Sequence, residues 1–131
     1  MNQQDIPASA RRFFDEFVEA FQSFNGNTIA ERYLVPYLAF HTRGSAEVFL
    51  SSGDTAAYFQ RIVNGYSAKG CRSCRYNELE VVPLGQECAV ATVTWELLTA
   101  DLSVLEAWRE SYNLCLVKDR FLAFTSTDHL A

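Results

Sequence analysis

An aromatic stripe near the start of the chain constrains the fold more than any other feature. Between about residues 9 and 24, large apolar side chains recur every three or four residues, which is the period of one helical face: Phe13, Phe14, Phe17, Val18, Phe21 and Phe24. We expect Ser9 to cap this helix and Gly26 to end it in a left-handed turn. The stripe must be covered, so it packs against a core or forms the wall of a ligand site.

Two further helices and six strands are predicted along the rest of the chain. Thr28-Ile29-Ala30-Glu31 has the form of a capping box, and Pro36 ends that helix near residue 34. A third helix opens at Ser52-Gly53-Asp54 and closes at Lys69-Gly70. The predicted strands span residues 37–43, 47–50 and, at greater length, about 73–82, 87–99, 104–117 and 121–129. Helices followed by a meander of long strands predict an α+β fold with a bent antiparallel sheet.

Composition narrows the class of protein. The 131 residues match one domain, residues 1–131, and a chain that is 49% hydrophobic and 21% charged is not disordered. The net charge of −5 argues against nucleic acid as a partner. No apolar run approaches the ~20 residues that span a bilayer, and no signal peptide is visible, so we expect a cytoplasmic protein without a membrane partner.

Four cysteines raise the question of metal or redox chemistry. Cys71 and Cys74 form a C-x-x-C pair, but a zinc site needs a second such pair, and Cys88 and Cys115 lie 27 residues apart. The motif runs into a predicted strand, where residues three apart point to opposite faces, rather than into the helix of a thioredoxin-type site. We expect reduced structural thiols, with zinc and redox chemistry as alternatives, and no metal or cofactor.

The order of elements resembles the nuclear transport factor 2-like superfamily and, within it, the SnoaL-like, polyketide-cyclase-like small domains. Four features carry the resemblance: the helix Ala10-Arg11-Arg12-Phe13-Phe14-Asp15-Glu16-Phe17, the strand Tyr37-Leu38-Ala39-Phe40-His41, the helix at Ser52-Gly53-Asp54, and the end Phe124-Thr125-Ser126-Thr127-Asp128-His129. The resemblance implies a cystatin-like α+β cone, in which a curved sheet wraps the long helix around a pocket. It also implies a homodimer through the sheet.

The resemblance places an acid near the end of the last strand, which makes Asp128 a candidate general acid or base. An apolar cone raises the pKa of a carboxyl group into the range useful for proton transfer. His41 is a second candidate, because histidine titrates near neutrality. His129 adjoins Asp128 but points to the opposite face of a regular strand.

The register of the last hairpin decides what Asp128 faces. A three-residue loop at Lys118-Asp119-Arg120 places it with the aromatics of the preceding strand, which we prefer; a two-residue turn places it with Arg109. Arg109 with Asp128 would resemble the pair in epoxide-hydrolase-like relatives. We expect Glu96 and Glu110 to be solvated or at a dimer interface. The predicted pocket residues are Tyr33, Tyr37, His41, Trp95, Trp108, Tyr112 and Asp128.

Three functions remain open at this point. The first is a domain that binds a hydrophobic or amphipathic small molecule in an aromatic cone. The second is a cofactor-free isomerase, cyclase or hydrolase that uses Asp128 with His41, Tyr112 or Arg109. The third is an assembly module without a pocket, because members of one fold family differ in function.

Overall fold

The computed structural model describes residues 5–129, which form three α-helices, one 3-10 turn and six strands. The helices are α1 (Ile6–Gln22), α2 (Gly26–Ala30) and α3 (Ser52–Ala68), and the turn is Thr42–Gly44. The strands are β1 (Tyr33–Phe40), β2 (Ala46–Phe49), β3 (Ser73–Leu84), β4 (Cys88–Leu98), β5 (Val104–Val117) and β6 (Arg120–Asp128).

The long first helix forms where the aromatic stripe predicts it, but its ends differ from the prediction. Asp5, not Ser9, is the N-cap: its carboxylate accepts a hydrogen bond from the Ala8 amide at 3.1 Å. The helix ends at Gln22, and Phe24 rather than Gly26 adopts the left-handed conformation, with φ 54°. Gly26 is instead needed for close packing, since a Cβ there would lie 2.2 Å from the Ala56 carbonyl oxygen in α3.

The second helix is shorter than predicted, and this moves the first strand. Asn25 caps it through a 2.9 Å hydrogen bond from the Asn27 amide, so the predicted capping box at Thr28 is wrong. The helix ends at Ala30, and Tyr33 therefore opens β1 instead of closing a helix. The strand ends at Phe40, and His41 lies just beyond it. The Val35–Pro36 peptide bond inside β1 is cis.

The six strands form one curved, unclosed sheet in the order β2-β1-β6-β5-β4-β3. The predicted meander of β3 to β6 is confirmed, with antiparallel pairs throughout. The first strand, however, pairs with the last in a parallel ladder, in which Leu38 lies beside Thr125 and Phe40 beside Thr127. The α+β fold class is confirmed, but the sheet is mixed rather than wholly antiparallel.

A β-bulge in the last strand sets the direction of every residue after it. The β5–β6 turn has two residues, Lys118 and Asp119, both with positive φ, so the preferred three-residue loop is wrong. Leu114 pairs with Ala123 but Asn113 pairs with Thr125, which leaves Phe124 as an extra residue. The bulge restores the alternation that the short turn would have shifted, so Asp128 lies opposite Glu110. The preferred placement of Asp128 on the aromatic face of β5 is therefore correct, although the loop that was expected to produce it is not.

The core lies between α1 and the concave face of the sheet. Phe14 is fully buried, and its ring contacts those of Tyr76, Trp95 and Tyr112 at centroid distances of 5.4–5.9 Å. The sheet therefore wraps the aromatic side of the helix. Within residues 5–129, no helix is both long and apolar enough to cross a bilayer.

Candidate functional site

A cavity of about 320 Å³ opens between the concave face of the sheet and helices α1 and α3. Most of its wall is apolar or aromatic, and this apolar part is formed chiefly by Phe17, Phe21, Phe59, Ile62, Trp95 and Leu97. At one end the lining becomes polar, where Glu110, Asp128 and the half-exposed His41 meet. A space of this size and lining suits one small, largely apolar ligand with a single polar end.

The polar end is assembled by the register of β5 and β6. Glu110 and Asp128 are directly paired across the two strands, so both carboxyl groups point from the concave face. Two like charges so close together are unfavourable in a partly apolar site, and one of the two groups is expected to hold its proton.

Glu110 is the group that holds the proton. Burial and, second, the neighbouring Asp128 carboxylate raise the pKa of Glu110 from 4.5 to about 8. Hydrogen bonds from the Trp108 and Tyr112 side chains favour the ionised form but are outweighed. The Trp108 indole nitrogen lies 2.9 Å from Glu110 Oε1. At neutral pH the cavity therefore contains a neutral carboxyl group that can donate a hydrogen bond.

His41 links this acidic pair to the edge of the sheet. Its Nδ1 lies 3.6 Å from Asp128 Oδ2, and its Nε2 lies 2.9 Å from Glu47 Oε2 on β2. The Tyr58 hydroxyl of α3 is 3.5 Å from the same Nε2. The imidazole ring thus lies between two carboxylates, hydrogen-bonded to Glu47 and within ion-pair distance of Asp128.

Two tyrosines of the cavity, Tyr37 and Tyr112, are neutral hydroxyl groups with hydrogen-bond partners in its wall. The Tyr37 hydroxyl is 2.6 Å from Ser126 Oγ, and the Tyr112 hydroxyl accepts a 2.7 Å hydrogen bond from the Trp95 indole. Burial raises the pKa values of both Tyr37 and Tyr112 above their ordinary range. These hydroxyl groups therefore stay uncharged, and their hydrogen bonds fix the positions of neighbouring side chains in the cavity wall.

All seven residues predicted for the pocket border this one cavity: Tyr33, Tyr37, His41, Trp95, Trp108, Tyr112 and Asp128. Arg109 does not, so the alternative pairing of Arg109 with Asp128 is wrong. The Arg109 side chain lies on the convex face, 2.9 Å from Glu80 and 3.1 Å from Thr94. His129 borders the rim, but its Nε2 bonds to Ser111 Oγ on the convex face at 2.7 Å.

Sequence reasoning missed Glu110, Tyr58 and Ser126. The expectation that Glu110 is solvated or at an interface is wrong, because the residue lies in the cavity wall between two aromatic neighbours of the same face, Trp108 and Tyr112. The alternation of Trp108, Glu110 and Tyr112 along the strand was the sequence pattern that could have placed Glu110 in the cavity. Glu96 fits the expectation better, since it binds Arg75 at 2.7 Å and Asn77 at 2.9 Å away from the cavity.

The four cysteines are free thiols, and Cys74 borders the cavity. Burial raises the pKa of the Cys74 thiol to about 12, so it remains protonated. In the part of the chain that the structure describes, no cluster of three or more histidine, cysteine or acidic side chains is arranged to hold a metal ion.

The charges around the cavity restrict its ligand. Glu106, Glu110 and Asp128 contribute three carboxyl groups to the lining, and among the described lining residues there is no lysine or arginine. Of the described lining residues, His41 and His129 are the only basic ones. An organic anion would meet repulsion at this end, whereas a neutral ligand with a hydrogen-bond acceptor would meet the protonated Glu110.

Comparison with known proteins places this architecture in a family. A family model described as NTF2-like protein (DUF6841) matches residues 5–129. A search of curated protein sequences gave no significant match. The SnoaL-like subgroup is not named by these matches, and that narrower resemblance stays a prediction.

Solved structures share the fold at low sequence identity. Aln2 from a Streptomyces species aligns with a TM-score of 0.77 at 9% identity, over 98% of this chain and 93% of its own. An NTF2-like protein with a cystatin-like fold from Novosphingobium aromaticivorans gives 0.74 at 11% identity, over 96% and 82%. A putative calcium/calmodulin-dependent protein kinase II association domain from Xanthomonas campestris gives 0.67 at 17% identity, over 98% and 93%. At such identities these likenesses show the fold alone.

Proposed function

Because the chain belongs to the NTF2-like proteins of the DUF6841 family, whose fold surrounds a pocket with a curved sheet, we propose that it binds a small hydrophobic or amphipathic molecule in its cavity. The observation that carries the proposal is the pairing of an apolar, aromatic cavity with one protonated carboxyl group at its polar end.

The shape of the cavity supports a ligand of modest size. Its volume of about 320 Å³ is at the lower end of the ~300–1,000 Å³ of small-molecule pockets. The side chains at its centre are held by hydrogen bonds and ring contacts, such as those of Trp95 with Tyr112 and Phe17. A pre-formed cavity of this kind binds a ligand without a large cost for ordering its walls.

The polar end supports a neutral ligand that accepts a hydrogen bond, such as a ketone, ester or lactone. Glu110 donates only while it is protonated, so affinity for such a ligand should fall as the pH rises through about 8. An anionic ligand should bind weakly at any pH above neutrality, since no lysine or arginine lines the described part of the cavity.

Prodan, a neutral naphthalene ketone whose emission reports the polarity around it, tests this proposal. Titration of the protein into Prodan should give a blue-shifted, saturable signal that weakens between about pH 6 and about pH 9. The anionic dye anilinonaphthalene sulfonate should bind less well. Glu110→Gln, whose amide donates at every pH, should bind Prodan with little pH dependence.

Two matched variants separate cavity binding from surface adsorption. Ile62→Trp adds bulk inside the cavity and should reduce Prodan binding. Val82→Trp adds the same group at a position that is 57% exposed and outside the cavity lining, and should leave binding unchanged. Equal binding by both variants and wild type would mean that the dye does not enter the cavity.

A second candidate function is cofactor-free acid–base catalysis as an isomerase, cyclase or hydrolase. The specific observation behind it is that Asp128 lies between the protonated Glu110 and His41, with His41 Nδ1 at 3.6 Å from its carboxylate. In such a site Asp128 would remove a proton beside a ligand carbonyl while Glu110 donates to the carbonyl oxygen.

Exchange of the α-hydrogens of 2-acetylnaphthalene in deuterated water tests this chemistry. Wild-type protein should accelerate deuterium incorporation, followed by mass spectrometry, and Asp128→Asn should abolish the acceleration with little change in melting temperature. Glu96→Gln serves as the control on a carboxylate outside the cavity. If the ketone binds but its α-hydrogens exchange no faster than in buffer alone, the catalytic proposal is wrong and ligand binding is the function that remains.

The homodimer implied by the family also remains a proposal. The convex face carries exposed apolar side chains at one end, including Val82, Leu84 and Val117. Toward the middle it carries polar contacts such as Thr92 with Ser111 at 2.6 Å. Light scattering after gel filtration should give twice the 14.8 kDa chain mass, and a monomer mass would exclude the dimer.

A further inference from the structure

We propose that Cys88 and Cys115, on the convex face of the sheet, are a thiol pair that forms a reversible cross-strand disulfide. The pair lies outside the cavity and uses none of the residues assigned to ligand binding. It is also distinct from the C-x-x-C pair, to which the sequence draws attention first.

The register of β4 and β5 brings the two cysteines together. Cys88 is paired directly with Cys115, at the end of the ladder next to the β3–β4 turn. The Leu116 amide donates to the Glu87 carbonyl at 2.8 Å, so the bonded residues are those flanking the cysteines. The cysteines therefore occupy a non-hydrogen-bonded pair, where Cα atoms are typically ~4.5 Å apart. Disulfides span Cα separations of about 4.4–6.8 Å, so closure requires little backbone movement.

The thiols are accessible and face each other. Both cysteines are partly exposed, whereas Cys71 and Cys74 are buried. The register puts the two side chains side by side on the convex face, and after burial the neighbouring Cys88 is the next cause that raises the pKa of the Cys115 thiol. Because the thiolate is the nucleophile, the pair should oxidise faster as the pH rises.

The C-x-x-C cysteines lack these features. Both are withdrawn from solvent, with 0% exposure for Cys71 and 5% for Cys74. The Cys71 thiol donates to the Ser73 carbonyl at 3.4 Å, and the pKa of Cys74 is raised to about 12. In the monomer, a soluble oxidant should therefore reach the convex-face pair first, whereas a dimer through this end of the face would cover it.

The oxidant we name is a low-molecular-weight disulfide such as glutathione disulfide. One cysteine thiolate attacks it, forms a mixed disulfide and releases one glutathione thiol. The second cysteine then displaces the bound glutathione, so two protein thiols are oxidised to one disulfide while one glutathione disulfide is reduced to two thiols. The bond would tie together two strands whose opposite sides, through Trp95 and Tyr112, line the cavity.

Incubation of the folded, full-length chain with glutathione disulfide, followed by thiol titration in denaturant and peptide mass spectrometry, tests the proposal. Titratable thiols should fall from four to two, with one cross-linked peptide pair that contains Cys88 and Cys115 and is lost after reduction. The melting temperature should rise on oxidation, because the bond restricts the unfolded chain.

Variants make the assignment specific. Cys88→Ser should leave Cys115 as a stable mixed disulfide with glutathione, and Cys115→Ser should do the same for Cys88. Cys74→Ala, in the buried pair, should leave the cross-link unchanged. Retention of all four thiols, a Cys71–Cys74 link, or a bond between two chains would overturn the proposal.

Discussion

The two faces of β5 carry different chemistry. Toward the concave side the strand presents Trp108, Glu110 and Tyr112, which border the cavity. Toward the convex side the intervening residues Arg109 and Ser111 form surface hydrogen bonds with neighbouring strands. Alternation along a single strand therefore separates ligand-binding chemistry from surface chemistry.

The same residue type behaves differently on the two faces. Glu110 faces the cavity beside Asp128 and has a pKa of about 8, whereas Glu96 faces outward and pairs with Arg75. Cys74 is buried in the cavity wall, whereas Cys115 is partly exposed beside Cys88. Residue identity alone does not assign a role in this protein; the direction of the side chain does.

The largest expected effect concerns packing on the concave face. Phe14→Ala removes a fully buried ring that contacts four other aromatic rings, so it should destabilise the fold by about 3–5 kcal/mol. Val82→Ala on the convex face removes an exposed side chain and should change stability by no more than about 0.5 kcal/mol. Urea denaturation of both variants measures the contrast, and similar losses would contradict it.

The pH dependence of stability comes next in size. The pKa of Glu110 is higher in the folded chain, about 8, than its ordinary value of 4.5. The folded state thus binds one more proton than the unfolded state between these values. The contribution of Glu110 to the free energy of unfolding is therefore fully present below about pH 4.5. It is lost as the pH rises toward about 8, at up to about 1.4 kcal/mol per pH unit.

Matched glutamate variants isolate this effect. Glu110→Gln should flatten the pH dependence of the unfolding free energy between about pH 5 and about pH 8. Glu96→Gln should keep the slope that Glu110 causes, because it leaves the Glu110–Asp128 pair in place. Identical slopes in wild type and Glu110→Gln would exclude a neutral Glu110.

The smallest expected effect belongs to the convex-face arginine. Arg109 pairs with Glu80, whose side chain is 76% exposed, and exposed ion pairs contribute about 0–1 kcal/mol. Arg109→Ala should therefore lower stability by less than about 1 kcal/mol and leave Prodan binding unchanged. A loss of binding as large as that of Ile62→Trp would mean that Arg109 reaches the cavity after all.

Regular periodicity made much of this fold predictable. The aromatic stripe located α1, and the opening at Ser52-Gly53-Asp54 with the close at Lys69-Gly70 located α3. Alternation placed Trp108 and Tyr112 on one face, where they now line the cavity. These patterns depend on residues that are close together in the sequence, so they predict an element without knowledge of the tertiary structure.

Features that depend on one extra residue were not predictable. The Lys118-Asp119 turn requires two positive φ angles without the glycine or asparagine that usually signals it. The bulge at Phe124 has no sequence signature, yet it determines that Asp128 faces Glu110 rather than Arg109. The raised pKa of Glu110 depends partly on that pairing, so the sequence alone could not predict it.

The most direct test of the central claim is a pH titration of the side-chain carboxyl carbons by NMR in glutamate-labelled protein. One glutamate resonance, absent from Glu110→Gln, should titrate near pH 8 and shift on addition of Prodan. If the resonance lost in Glu110→Gln instead titrates near 4.5 and does not respond to Prodan, Glu110 is an ordinary solvated carboxylate and the account of the cavity is wrong.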